Sequence, residues 1–121
     1  MTQKHAHFIG IGGIGISALA RYYKYLGYSI SGSDTVESEL TDKLKGEGVD
    51  FHVVHSPENL PDNTSLVVYS AAIITKPDLS KEENLIANPE LARARELGIK
   101  LLSYPEALAE VVNAKKCIAV A

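Results

Sequence analysis

Tryptophan is absent from the 121 residues, cysteine and methionine occur once each, and phenylalanine only twice. The lone cysteine, Cys117, excludes an internal disulfide and with it the staple on which small secreted domains depend. It reads as a small buried hydrophobe, because a nucleophile needs a basic, partly exposed setting. There is no surplus of positive charge either. Twelve Lys and Arg stand against fifteen Asp and Glu, a net charge of −3, which leaves no electrostatic footprint for nucleic acid. No apolar run approaches the roughly 20 residues of a membrane span, and no apolar segment ahead of a small-residue cleavage site opens the chain. His5, His7 and His55 are scattered without metal-ligand spacing, so no metal is expected, and His5 and His7 read as surface groups beside the first strand. Together these absences describe a soluble cytoplasmic protein whose partners include neither nucleic acid nor membrane. What is left is an ordinary globular composition, 45% hydrophobic, in a length suited to one core.

The most informative stretch is His7-Phe8-Ile9-Gly10-Ile11-Gly12-Gly13-Ile14-Gly15-Ile16-Ser17. Ala6 to Ile9 predicts a buried first strand. Gly10, Gly12 and Gly15 fit G-x-G-x-x-G, a pattern that turns the backbone tightly and lets it approach a diphosphate. Ile16, Leu19, Ala20, Tyr23 and Leu26 then recur at helical spacing, and a helix beginning there offers N–H groups and partial positive charge to an anion. Gly27 is placed to end that helix. Tyr28 to Ser31 predicts a second strand, and Asp34 follows about nineteen residues after Gly15, where a Rossmann unit carries its acidic ribose-binding residue. The backbone of Gly10, Gly12, Gly13, Ile14 and Gly15, with Ser33 and Asp34 opposite, is therefore the candidate diphosphate and ribose site. Asp34 also reads as a turn or helix-cap aspartate.

Further along, Ser38 to Glu47 predicts a helix with Leu40 and Leu44 inward, and Val49 to Val54 a third strand leading into His55. Ser65 to Tyr69 predicts a buried fourth strand ending at Ser70 and Ala71. Thr75 to Asn84 reads as a polar surface loop. Asn88-Pro89 starts a helix running to Leu97, with Gly98 past its end. Ile99 to Leu102 is a fifth strand, and Ser103 with Glu106 forms a capping box before a helix over Pro105 to Val112. Cys117 to Ala121 has the pattern of one more buried strand. Strands alternating with helices at this spacing predict an α/β fold, a Rossmann-like parallel sheet of about five strands with helices on both faces. Ligands of such sheets bind beyond the carboxyl ends of the strands. His55, Ser70 and Ala71 all follow strands directly and join the candidate site, although His55 is equally a solvated loop histidine and Ser70 a local turn serine. On the residues alone, an NAD-binding domain of an oxidoreductase and a nucleotide-sensing regulatory module both remain open.

Four segments in this order, the glycine stretch, Ser31-Gly32-Ser33-Asp34, Tyr69-Ser70-Ala71-Ala72-Ile73 and Ile118-Ala119-Val120-Ala121, resemble the N-terminal domain of the Mur ligase family. Within it they are most similar to members that join L-alanine to UDP-N-acetylmuramate in peptidoglycan biosynthesis. The resemblance implies a UDP-substrate-binding domain over residues 1–114. Residues 115–121 would then open the first strand of a central ATPase domain, with a C-terminal domain for the amino acid beyond it. It implies ATP and Mg2+ as cofactors of the parent enzyme but none for this piece, since the chain contains no G-x-x-x-x-G-K-[ST] loop. The family usually carries glycine where this chain has Val54.

Overall fold

The sheet is organised around its first strand. The computed structural model describes residues 4–70 and 88–120; Ala71 and the loop expected over Thr75 to Asn84 lie outside them. Five strands, β1 (His5–Ile9), β2 (Ser29–Asp34), β3 (Asp50–Val53), β4 (Thr64–Tyr69) and β5 (Lys100–Ser103), are all parallel in the order β3-β2-β1-β4-β5. The connecting helices are α1 (Ile14–Tyr25), α2 (Glu39–Gly46), α3 (Pro89–Glu96) and α4 (Tyr104–Val120), with one 3-10 turn at Pro57–Asn59. Because β1 pairs with β2 on one side and β4 on the other, the strand order reverses beside it. That is where a crevice opens in this class of sheet.

Period-2 alternation assigns each strand residue to a face. On one face Ala6 and Phe8 of β1, Ile30 of β2, and Leu66 and Val68 of β4 pack under Ile16, Leu19, Ala20 and Tyr23 of α1, Leu44 of α2 and Ala107 of α4. On the other, Ile9, Val67 and Tyr69 meet Leu91 and Ala94 of α3. Helices thus cover both faces, as the sequence pattern requires. Local chemistry sets the helix ends. Ser38 and Thr41 cap α2 reciprocally, Asn88 Oδ1 accepts from the N–H groups of Glu90 and Leu91 at the start of α3, and the Ser103–Glu106 box forms at the start of α4.

Two expectations are corrected. Cys117 to Val120, anticipated as a strand, lies within α4. No glycine or proline interrupts the chain after Pro105, and Ala and Lys through this stretch are strong helix formers, so local bonding continues the helix. His5 and His7, anticipated at the surface, are 7% and 0% exposed. Alternation turns both inward, onto the face that carries Ser29, Ser31 and Ser33 across the β1–β2 register.

Candidate functional site

The glycine turn leaves β1 at Gly10, whose positive φ of 81° suits a residue without Cβ. The N–H groups of Gly10 and Ile11 both donate to the carbonyl of Ser33, at 2.8 and 3.1 Å, tying the turn to the end of β2. Gly12 N–H donates to Asp34 Oδ2 at 2.8 Å. A Cβ on Gly12 would stand 2.6 Å from that same oxygen, so the approach requires glycine. The other carboxylate oxygen, Oδ1, accepts from the N–H of Thr35 at 2.7 Å. Asp34 is half-buried, so its carboxylate both braces the loop and keeps an open side.

Gly13 is the N-cap of α1, with no side-chain acceptor on the first-turn N–H groups and no acidic residue in that turn. Those N–H groups and the positive end of the helix dipole form an electrostatic seat for an anion. Ile14, the first helical residue, is 85% exposed beside it, an apolar surface next to a polar cradle. Gly15 packs against the Tyr104 ring. Ser70 follows β4 and donates its N–H to the Ile9 carbonyl at 2.9 Å, which places it on the opposite wall of the strand-order reversal. Gly10, Gly12, Gly13, Ile14, Gly15, Asp34 and Ser70 therefore gather at one edge of the sheet. Ala71 is outside the described residues.

Ser33 and His55 belong to a second constellation. Ser33 is fully buried on the α3 face, and its hydroxyl donates to Glu90 Oε1 at 2.7 Å and meets His55 Nδ1 at 2.8 Å. Glu90 was not anticipated. Its carboxylate, 0% exposed, also accepts from His7 Nε2 at 2.5 Å, Ser56 N–H at 3.0 Å and Asn59 Nδ2 at 3.1 Å. Behind His7 the chain of hydrogen bonds runs through Ser31 to His5 and Ser29. Burial alone would raise the Glu90 pKa. Hydrogen bonds from His55, His7 and Ser33 outweigh it and hold the carboxyl well below the usual range. Its place in the first turn of α3 adds the favourable end of a helix dipole. No buried side-chain N or O among the described residues lacks a partner. The signal that could have revealed this cluster was the alternation His5-Ala6-His7 beside Ser29-Ile30-Ser31-Gly32-Ser33, which puts five polar side chains on one sheet face.

Among the described residues no three His, Cys, Asp or Glu side chains converge to hold a metal ion, and no helix is long and apolar enough to cross a membrane. A groove of about 740 Å³ runs along the 3-10 turn and α3, past Pro57, Leu60, Ala92 and Arg93, and shares no residue with the glycine turn.

Comparison with known proteins bears directly on this geometry. The family model described as Mur ligase family, catalytic domain, matches residues 5–116. A UDP-N-acetylmuramate–L-alanine ligase of Campylobacter jejuni is 51% identical over 98% of this chain and 25% of its own length. That of Carboxydothermus hydrogenoformans is 47% identical over 95% of this chain and 22% of its own. The crystal structure of UDP-N-acetylmuramate-alanine ligase from Thermotoga maritima superposes with a TM-score of 0.76 at 30% identity, covering 93% of this chain and 23% of that one. The chain spans about a quarter of the length of the curated relatives it matches.

Proposed function

The chain belongs to the Mur ligase family, and from that premise we propose that it is the unit that holds the nucleotide end of UDP-N-acetylmuramate in a cytoplasmic ligase that attaches L-alanine to that substrate. The observation that carries this reading is the Asp34–Gly12 brace at 2.8 Å beside the uncapped start of α1. The uncapped first-turn N–H groups of α1, held in place by the glycine turn, suit a diphosphate, and the open side of the Asp34 carboxylate suits ribose hydroxyls. Exposed Ile14 supplies an apolar contact next to them. Relatives named for this substrate, at up to 51% identity among those compared, support uridine over nicotinamide dinucleotides.

On this reading the unit forms no bond itself. Binding energy from the remote UDP group positions the lactyl carboxylate for chemistry elsewhere in the parent protein. ATP and Mg2+ belong to that other part, since the residues present include no phosphate-binding loop of the G-x-x-x-x-G-K-[ST] type. The central and C-terminal domains of the same parent chain are its partners. Residues 1–114 are the substrate-holding part on this reading, and α4, which runs on to Val120, leads toward the next domain.

Calorimetric titration of the chain with UDP-N-acetylmuramate, UDP and NAD tests the proposal. The uridine ligands bind and NAD binds more weakly; tighter binding of NAD than of either uridine nucleotide would overturn the ligase reading. In the same titration Asp34→Ala weakens uridine-nucleotide binding by about 1–3 kcal/mol, the worth of a charge-assisted hydrogen bond and its unpaired partner. Unchanged affinity would reduce Asp34 to a turn residue.

A further inference from the structure

His55 stands at the end of β3 with its ring 14% exposed, and the buried cluster beneath it determines where its proton lies. Glu90 Oε2 accepts from the Ser56 backbone N–H and from Asn59 Nδ2, two atoms that only donate. Its other oxygen faces His7 and Ser33. A carboxylate ringed by donors accepts from all of them, so the single Ser33 proton is committed to Glu90. The Ser33 oxygen is then left with lone pairs toward His55 Nδ1, 2.8 Å away. Nδ1 must carry the hydrogen, and the 3.4 Å approach of the same nitrogen to Glu90 Oε2 agrees. In the neutral ring that leaves Nε2 as a bare acceptor. No described residue bonds to Nε2, and no buried side-chain nitrogen is left unpaired, so this atom looks outward.

We propose that Glu90, acting through Ser33, is a positioning residue that locks His55 in its Nδ1–H form and so presents Nε2 as a hydrogen-bond acceptor to a donor on the nucleotide, a ribose hydroxyl or the imide N–H of the base. The inference rests on the nucleotide-binding reading above and deepens it. Asp34 at the end of β2 and His55 just beyond the end of β3 occupy neighbouring strand ends, since β2 and β3 pair through Asp34 and Val53. Two acceptors there, one anionic and one neutral, would match the donor-rich face of a nucleoside while the start of α1 takes its diphosphate. Ser33 therefore acts from behind His55, and its hydroxyl does not face the ligand.

Long-range proton–nitrogen correlation spectra of the 15N-labelled chain, at about pH 8 so that imidazole is mostly neutral, read the tautomer directly, with His55→Ala identifying the signal. The wild type shows Nδ1 protonated and Nε2 bare. A protonated Nε2 in the unliganded protein, or rapid averaging of the two forms, overturns the proposal. Ser33→Ala releases the lock, moves the signals toward the Nε2–H form, and weakens UDP binding roughly threefold to tenfold, the scale of one neutral hydrogen bond. His55→Ala weakens it similarly, and the double variant is no weaker than His55→Ala alone, because both changes remove one interaction. Multiplicative losses would mean that Ser33 meets the ligand independently, and an unaltered tautomer in Ser33→Ala would mean that Glu90 does not act through it; either result refutes the positioning role. If the wild type binds no uridine nucleotide, the proposed function fails and the ligand half of this inference with it, while the spectrum still decides the lock.

Discussion

Val54 is the residue at which this chain sits least comfortably. It has a φ of +73°, a region that a β-branched side chain enters only against a steric penalty of about 1–2 kcal/mol. What holds it there is the turn out of β3, where Val54 N–H donates to the Asp34 carbonyl at 2.8 Å and its own carbonyl accepts from Asn59 Nδ2. The side chain is 63% exposed, so little packing opposes its removal. Val54→Gly is therefore expected to stabilise the fold by about 1 kcal/mol, net of the entropy glycine gains when unfolded. Urea unfolding of the two proteins measures it, and a lower midpoint for the glycine variant would show that the strain is relieved by other means. Legibility at this scale divides by distance along the chain. That Gly10, Gly12 and Asp34 meet at one turn was readable because a spaced motif encodes their geometry. Glu90 was not, since by itself it is an acidic residue in a helix's first turn, and its partners His7, Ser33 and Ser56 come from remote segments.

Among the elements, β2 and α3 shape the second constellation together. The strand read over Tyr28 to Ser31, with Asp34 at its tip, runs from Ser29 to Asp34, which carries Ser33 onto the face that α3 covers. Gly32 within it lies under Ile11, with a hypothetical Cβ only 2.6 Å from Ile11 Cδ1. Helix α3 was placed correctly by Asn88-Pro89, and its cap is what aims Glu90 at the sheet. Asn88→Ala should cost about 1 kcal/mol of stability, the usual worth of an N-cap. It should also loosen Glu90, visible as faster amide exchange at Ser56. A variant with unchanged stability and exchange would show that the carboxylate cluster, rather than the cap, orients the helix start.

For the molecule as a whole, the buried polar face makes stability depend on pH. Burial and the neighbouring His7 hold His5 below the ordinary histidine value of 6.5, and Glu90 is held below the ordinary glutamate value of 4.5. In both cases the unfolded chain takes up the proton first, so the stabilisation is complete at neutral pH and is lost on acidification. The loss begins as pH falls through 6.5 for His5 and deepens below 4.5 for Glu90. Denaturant midpoints followed from neutrality to mild acid should fall in that sequence, and His5→Gln should flatten the first part. A midpoint constant down to pH 4.5 would contradict the burial of a neutral imidazole. The overall architecture was legible because alternating strand and helix signals at this spacing admit few arrangements, whereas α4 was truncated because an apolar tail reads equally as strand.

The central position of β1 also has a temporal side. One flank of this strand is satisfied early, by β2 a single helix later, but the other joins Phe8 to Val68 and Ile9 to Tyr69. Closing so long a loop before any contact rewards it makes this pairing the slow event of folding. During synthesis β1 is made before β4 and waits with one edge unpaired until β4 emerges. That interval, rather than anything in the finished fold, is when this chain is most exposed to pairing with the wrong strand.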